Sequence, residues 1–162
     1  MAKYYAGIGS RSTPARIQTV MTALARKLER DGWTLRTGDA KGADTAFARG
    51  TRDAQIYTIQ SLSKISSEML EICRNDFLSL HPNVRAAMAK PWAQQYLMRD
   101  SLQVRGYHPE DKLSSFVVCW TPNGELSGGT AQAMRVAMKL NIPIFNLGNR
   151  EDLEKILKYL NN

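Results

Sequence analysis

Three short apolar runs in this 162-residue chain each lead into a glycine-containing turn, and each turn leads into a stretch with helical patterning. Phe116-Val117-Val118-Cys119-Trp120 precedes Ser127-Gly128-Gly129-Thr130, which opens the proline-free stretch Ala131 to Leu140. Gly7-Ile8-Gly9-Ser10-Arg11 follows the run that begins at Lys3, and Thr37-Gly38-Asp39-Ala40-Lys41-Gly42 follows Trp33-Thr34-Leu35-Arg36. Strand, glycine turn, helix is the repeating unit of a parallel sheet, because neighbouring parallel strands need a long crossover and a helix is the usual one. The same unit aims backbone N–H groups and a helix N-terminus at one spot, an arrangement that suits an anion.

The remaining pattern fills in the elements. Thr13-Pro14 reads as a helix start, with the threonine as cap and the proline at the first helical position. Ile17, Val20, Met21, Leu24 and Leu28 then recur at helical spacing until Asp31-Gly32 ends the helix. Gly42 to Phe47 opens a short helix that stops near Gly50, and Gln55 to Ile59 reads as a third strand. Pro91 starts a helix from Trp92 to about Val104, closed by Gly106. Ser115 to Trp120 is a fourth strand, Gly129 to Asn141 a helix, and Ile142 to Asn146 a fifth strand. Pro143 suits only an edge strand or a strand's first residue. Leu153, Ile156, Leu157 and Leu160 mark a final amphipathic helix. From Ser61 to Val84 the pattern is weak, with a short helix around Glu68 to Cys73 and irregular structure ending at His81-Pro82.

The expected architecture is α/β, a Rossmann-like three-layer sandwich with a mostly parallel five-stranded sheet. Residues 1–162 form one domain with an irregular insertion around 61–90. All three glycine turns follow strands, so they meet at the carboxyl edge of the sheet, where open α/β folds bind ligands. The ligand class this implies is a nucleotide or a phosphorylated sugar.

Composition sets outer bounds. The apolar fraction of 43% and charged fraction of 23% are those of an ordinary globular chain. No apolar stretch is long enough to span a bilayer, and the N-terminus leads straight into a strand without a signal peptide. Cys73 and Cys119 lack the spacing of a zinc site, and Cys119 reads as a small buried hydrophobe in a reducing, cytoplasmic compartment. No metal and no cofactor are expected. The net charge of +7 favours phosphate-bearing partners, and its residues are scattered rather than gathered into an arm.

The ordered set Gly7-Ile8-Gly9-Ser10-Arg11, Thr37-Gly38-Asp39-Ala40-Lys41-Gly42-Ala43-Asp44 and Ser127-Gly128-Gly129-Thr130 resembles the SLOG superfamily, which unites DprA/Smf DNA-processing proteins with LOG phosphoribohydrolases. The chain is most similar to small stand-alone, often phage-encoded DprA-like proteins. It shares with them Cys119-Trp120-Thr121-Pro122 before the last glycine turn and Ile142-Pro143-Ile144-Phe145-Asn146-Leu147 after it. The resemblance implies a Rossmann-like nucleotide-binding domain, a bacterial or phage-infected cell, and association into homo-oligomers. It departs from the LOG hydrolases in one respect. Their glycine motif carries a catalytic glutamate three residues after its Gly-Thr pair, and that position here is Ala133.

Candidate ligand-binding residues are Gly9, Ser10, Arg11, Gly38, Lys41, Gly42, Asp44, Trp120, Ser127, Gly128, Gly129 and Thr130. Gly128, Gly129 and Thr130 offer amides to a phosphate, or form a tight turn with a threonine cap. Arg11 offers a bidentate phosphate contact, or is an ordinary surface arginine. Lys41 neutralises phosphate, or does nothing specific. Asp44 bonds ribose hydroxyls, or meets the dipole of its own helix. Trp120 stacks on a base, or packs in the core, the favoured alternative. Arg99, Asp100 and Gln103 can share one helix face, read here as an exposed polar face. His81 and His108 read as surface residues.

Three functions follow. The first is a non-enzymatic sensor or sponge of a nucleotide-derived signal, with a role against antiphage defence. The second is an N-glycosidase acting on a nucleoside monophosphate, whose carboxylate would have to be Asp44, Asp39 or Glu125. The third is DprA-like binding of single-stranded DNA. The missing glutamate places the binder first.

Overall fold

The computed structural model describes residues 2–162, and among them it has five strands and seven α-helices. Strands β1 (Lys3–Gly7), β2 (Trp33–Thr37), β3 (Ala54–Ile56), β4 (Val117–Cys119) and β5 (Ile144–Asn146) form one sheet in the order β3-β2-β1-β4-β5. Every pairing in it is parallel, so the expected fold class holds with a sheet that is wholly parallel.

Three strands are shorter than their apolar runs. β5 begins only after Pro143, which has no N–H to give a ladder but whose carbonyl still accepts from the Val117 amide at 2.9 Å. β5 lies at a sheet edge, where that loss is tolerated. β3 stops at Ile56 because the chain turns into a 3₁₀ segment (Ile59–Ser63), and the Ser61 hydroxyl takes the Thr58 amide at 2.9 Å. Only three residues of the Ser115 to Trp120 run join the ladder as β4.

The helices are α1 (Ala15–Arg30), α2 (Ala43–Arg49), α3 (Ser67–Leu80), α4 (Val84–Met88), α5 (Pro91–Arg105), α6 (Thr130–Lys139) and α7 (Arg150–Leu160). α1 does not start on a threonine cap. Pro14 holds the cap position, and the Thr13 hydroxyl donates to the Ser10 carbonyl at 2.6 Å, tying the first glycine turn to the helix. The stretch expected to be irregular is mostly helical. Ser66 caps α3 by accepting from the Met69 amide at 3.1 Å, and Asn83 caps α4 by accepting from Ala86 at 3.2 Å. Met69, Cys73 and Phe77 are the buried apolar residues of α3, one per turn, and that narrow stripe is why the pattern is faint in sequence.

Alternate strand residues face opposite ways, and both faces are covered. Tyr5, Leu35 and Val118 pack with α1, α2 and α7; Ala6, Val117 and Cys119 pack with α6 and with Val104 of α5. A third cluster joins Tyr57, Met69, Cys73 and Phe77 to Met98 and Leu102. α5 is thereby sandwiched, and every residue from Met98 to Val104 is buried. No helix among the described residues is long and apolar enough to cross a membrane.

Candidate functional site

The carboxyl edge of the sheet opens into a cleft of about 650 Å³. Its residues come from three places: the turn after β1 (Ile8 to Arg11), the turn after β4 (Pro122 and Ser127 to Thr130), and one face of α5. The turn after β2 adds Ala40, and α2 adds Asp44.

The first two turns are locked together. The Ser10 amide donates to the Trp120 carbonyl at 3.1 Å, and the Ala43 amide donates to the Ser10 carbonyl at 3.4 Å. Gly42 has a φ of +84°, and a Cβ there would lie 2.7 Å from the carbonyl oxygens of Ser10 and Arg11, so glycine alone lets the second turn pass beneath the first. Arg11 is left exposed at the mouth.

The third turn is different. Gly128 has a φ of +70°, which favours glycine, whereas Gly129 is in ordinary helical geometry at φ −65° and ψ −28°. Among the described residues, nothing lies within 4 Å of where a Cβ would stand on either. No described side chain caps α6; the Ala131 amide turns back to the Gly128 carbonyl at 3.2 Å, and the amides beside it have no side-chain acceptor.

The floor is a buried polar network. Arg99 on α5 donates from Nη1 to Asp39 Oδ1 at 3.0 Å and to the Tyr57 carbonyl at 3.1 Å, and from Nε to Asp100 Oδ1 at 3.2 Å. Asp44 accepts from the Ala40 amide at 3.1 Å. Arg99, Asp100 and Gln103 are 7%, 6% and 2% exposed, which corrects their reading as an exposed polar face. The correction has a physical cause: α3 and α4 cover α5 on its outer side, and the polar groups find their partners in Asp39 of the turn after β2, in the Asp44 charge on α2, in one another and in the Tyr57 backbone. Burial pushes the Asp44 carboxyl up to about 6, against the opposing pull of the Arg99 charge and the Ala40 amide. Burial likewise pushes Asp100 up to about 7; Arg99 opposes this and the neighbouring Asp44 adds to it.

Of the residues expected from sequence, Gly9, Ser10, Arg11, Asp44, Ser127, Gly128, Gly129 and Thr130 line the cleft together. Gly38 and Gly42 support it from beneath, packed against the floor network and the first turn. Lys41 and Glu125 are exposed and outside the cleft lining, and Asp39 is held in the Arg99 ion pair. Trp120 also lies outside the lining. It packs against the core on the α1 side and contributes its backbone to the first turn. The aromatic residues at the cleft are Trp92, 63% exposed, and Tyr96, 37% exposed, with the Arg99 guanidinium 5.4 Å from the Tyr96 ring centre. Neither is among the residues expected from sequence. The signal is nevertheless there, because Trp92, Tyr96, Arg99, Asp100 and Gln103 form one stripe along a helix.

The fold has a solved counterpart. A structure of DNA processing protein A from Helicobacter pylori, described as binding single-stranded DNA in a unique mode, superimposes with a TM-score of 0.59 and 20% sequence identity. The match covers 98% of this chain and 79% of that one. At that identity the likeness is one of fold, and the fold is DprA-like. No protein-family model and no curated protein matches the chain.

Proposed function

We propose that the cleft binds single-stranded DNA, with a backbone phosphate at the Gly128–Gly129 turn and bases stacked on Trp92 and Tyr96. The observation that carries this reading is the pairing, in one cleft, of an uncapped glycine turn with open space around it and two solvent-exposed aromatic rings. Amides at a helix N-terminus recognise phosphate without reading sequence, and aromatic rings accept any base. Arg11 at the mouth and the net charge of +7 add the long-range attraction that draws a polyanion in. The DprA-like fold gives further support, since its solved counterpart is a single-stranded DNA binder. This ordering reverses the one drawn from sequence, where the DNA reading stands third.

Fluorescence anisotropy with a labelled oligothymidylate tests it. Affinity is expected to fall linearly with salt on a log–log plot, with a slope of about −0.7 per phosphate contacted. Trp92→Ala is expected to cost about 1–3 kcal/mol for each base it stacks. Absence of binding at low salt, or unchanged affinity in both Trp92→Ala and Gly129→Asp with the fold intact, contradicts the assignment.

A second reading, a free nucleotide or nucleotide-derived signal held without turnover, draws support from the size of the cleft. About 650 Å³ matches a site for one small ligand, with Asp44 at its floor for sugar hydroxyls. A rise in melting temperature with mononucleotides but none with oligothymidylate favours it. Release of free base in the same mixture turns the reading to N-glycosidic cleavage, with Asp44 as the carboxylate concerned.

A further inference from the structure

A second concavity lies on the α1–α2 face and takes no part in the cleft. Two hollows of about 440 and 610 Å³ run between α1 and the α2–β3 turn, and they are continuous because Arg26 and Arg49 line both. The groove begins at Ala15, four residues along the chain from Arg11 of the cleft, and ends at the Gly50 to Arg52 turn.

Arg26, Arg49 and Arg52 are all exposed, and among the described residues none of them enters an ion pair. The acidic residue on the groove, Glu29, is held by two other groove residues. Its carboxylate accepts from the Thr51 hydroxyl and from the Arg52 amide, each at 2.8 Å. The rest of the wall is small or polar and uncharged, namely Ala15, Gln18, Thr19, Thr22 and Ala23, with Gly50 and Thr51 at the far end. The described large apolar side chains that are exposed all lie outside α1 and α2, so the groove has no anchor for a protein helix or for a stacked base. Charge and hydroxyl groups without an apolar anchor match a phosphodiester backbone.

We infer that this groove carries the backbone of a strand whose neighbouring nucleotide occupies the cleft, so that the chain engages single-stranded nucleic acid over a site longer than the cleft. The inference rests on the single-strand reading of the cleft. From Ala15 to Arg26 the groove follows α1 for about 16 Å at ~1.5 Å per residue. At the ~3.4 Å axial rise per nucleotide of a fully stacked strand that is at most about five phosphates, and a more extended strand places fewer there.

The test compares two labelled oligothymidylates, one of about four and one of about fifteen nucleotides, the range over which single-strand sites fall. Each is titrated against wild type and the Arg26→Glu/Arg49→Glu variant over a salt series. Both positions are exposed, so the fold is expected to survive, and a thermal melt checks this. The expected result is that the long strand binds wild type at least tenfold more tightly than the short one, and that the variant loses this advantage while binding the short strand as before. The salt slope for the long strand should shrink by about 1.4, two contacts at ~0.7 each. Equal affinity of wild type for both lengths, or a long-strand advantage unchanged in the variant, overturns the groove assignment and leaves the cleft reading standing. Failure of both strands to bind wild type removes both.

Discussion

Gly38 and Gly129 occupy equivalent places, each in the turn between a strand and the helix that follows it, yet their surroundings are opposite. A Cβ on Gly38 would stand 2.5 Å from Arg99 Nη1, 2.5 Å from Asp44 Oδ2 and 2.7 Å from Gln103 Nε2. A Cβ on Gly129 would meet nothing described within 4 Å. At Gly38 the protein fills the space with its own polar side chains, and the glycine exists so that they can converge. At Gly129 the backbone is one any residue adopts, the space is empty, and packing does not account for the glycine. One wall of the cleft is therefore finished internally, and the other leaves room for something outside the chain.

The sharpest way to break this contrast is Arg99→Met. It leaves Asp39, Asp44 and Asp100 without their shared cation, and removing one partner of a buried ionic group costs about 3–5 kcal/mol. Urea unfolding at mildly alkaline pH measures it; a loss below about 1 kcal/mol would mean that the floor is not a coupled network.

Gly38→Ala comes next, at about 1–3 kcal/mol of overpacking. In a chain of this size that lowers the melting temperature by roughly 2–12 °C. An unchanged melt would show that the network gives way freely.

The pH dependence of the floor has a definite sign. Asp44 at about 6 and Asp100 at about 7 both lie above the value near 3.9 that an aspartate has in an unfolded chain. Between about pH 4 and pH 7 the native state therefore holds more protons than the unfolded one. The contribution of these groups is complete below about pH 4 and is lost as pH rises through 6 and 7. Asp100→Asn should flatten that decline, seen as urea midpoints that change less with pH than those of wild type. Identical pH profiles would mean that Asp100 is ionised throughout.

The smallest effect belongs to the open wall. Gly129→Ala should leave stability within about 0.5 kcal/mol, or raise it slightly by restricting the unfolded chain. Oligonucleotide affinity should nevertheless drop, because the methyl group stands where a phosphate approaches. A variant that lost stability as Gly38→Ala does would erase the distinction between the walls.

Much of the fold is legible in the residues alone. The five strands in their order, the turns at Gly9, Gly38 and Gly128, and the stop at Gly106 follow the sequence, although three strands are shorter than their runs, because turn chemistry and apolar alternation are local properties. Eight of the expected ligand residues reach the cleft, since parallel connectivity alone brings the strand ends to one edge. Trp120 is ambiguous in sequence because a strand's last aromatic has the same chain neighbours whether it faces ligand or core. The full extent of α3 escapes the pattern because its apolar stripe is narrow, and Thr13 is no cap because Pro14 holds that position and the Thr13 hydroxyl donates back to the Ser10 carbonyl.

The order of elements, the all-parallel sheet and the edge at which the turns gather follow from the chain itself, through the geometry of strand, turn and crossover helix. The cleft's floor and its aromatic wall come only with the tertiary fold. Arg99, Asp100 and Gln103 are charged or polar residues on a helix, and a helix carries no local mark of whether such a face looks onto water or onto partners from distant parts of the chain. α3 and α4 packing over α5 decides it, because the free energy of burying those groups is set by the partners they meet, and those partners lie in the turn after β2, on α2 and on the Tyr57 backbone.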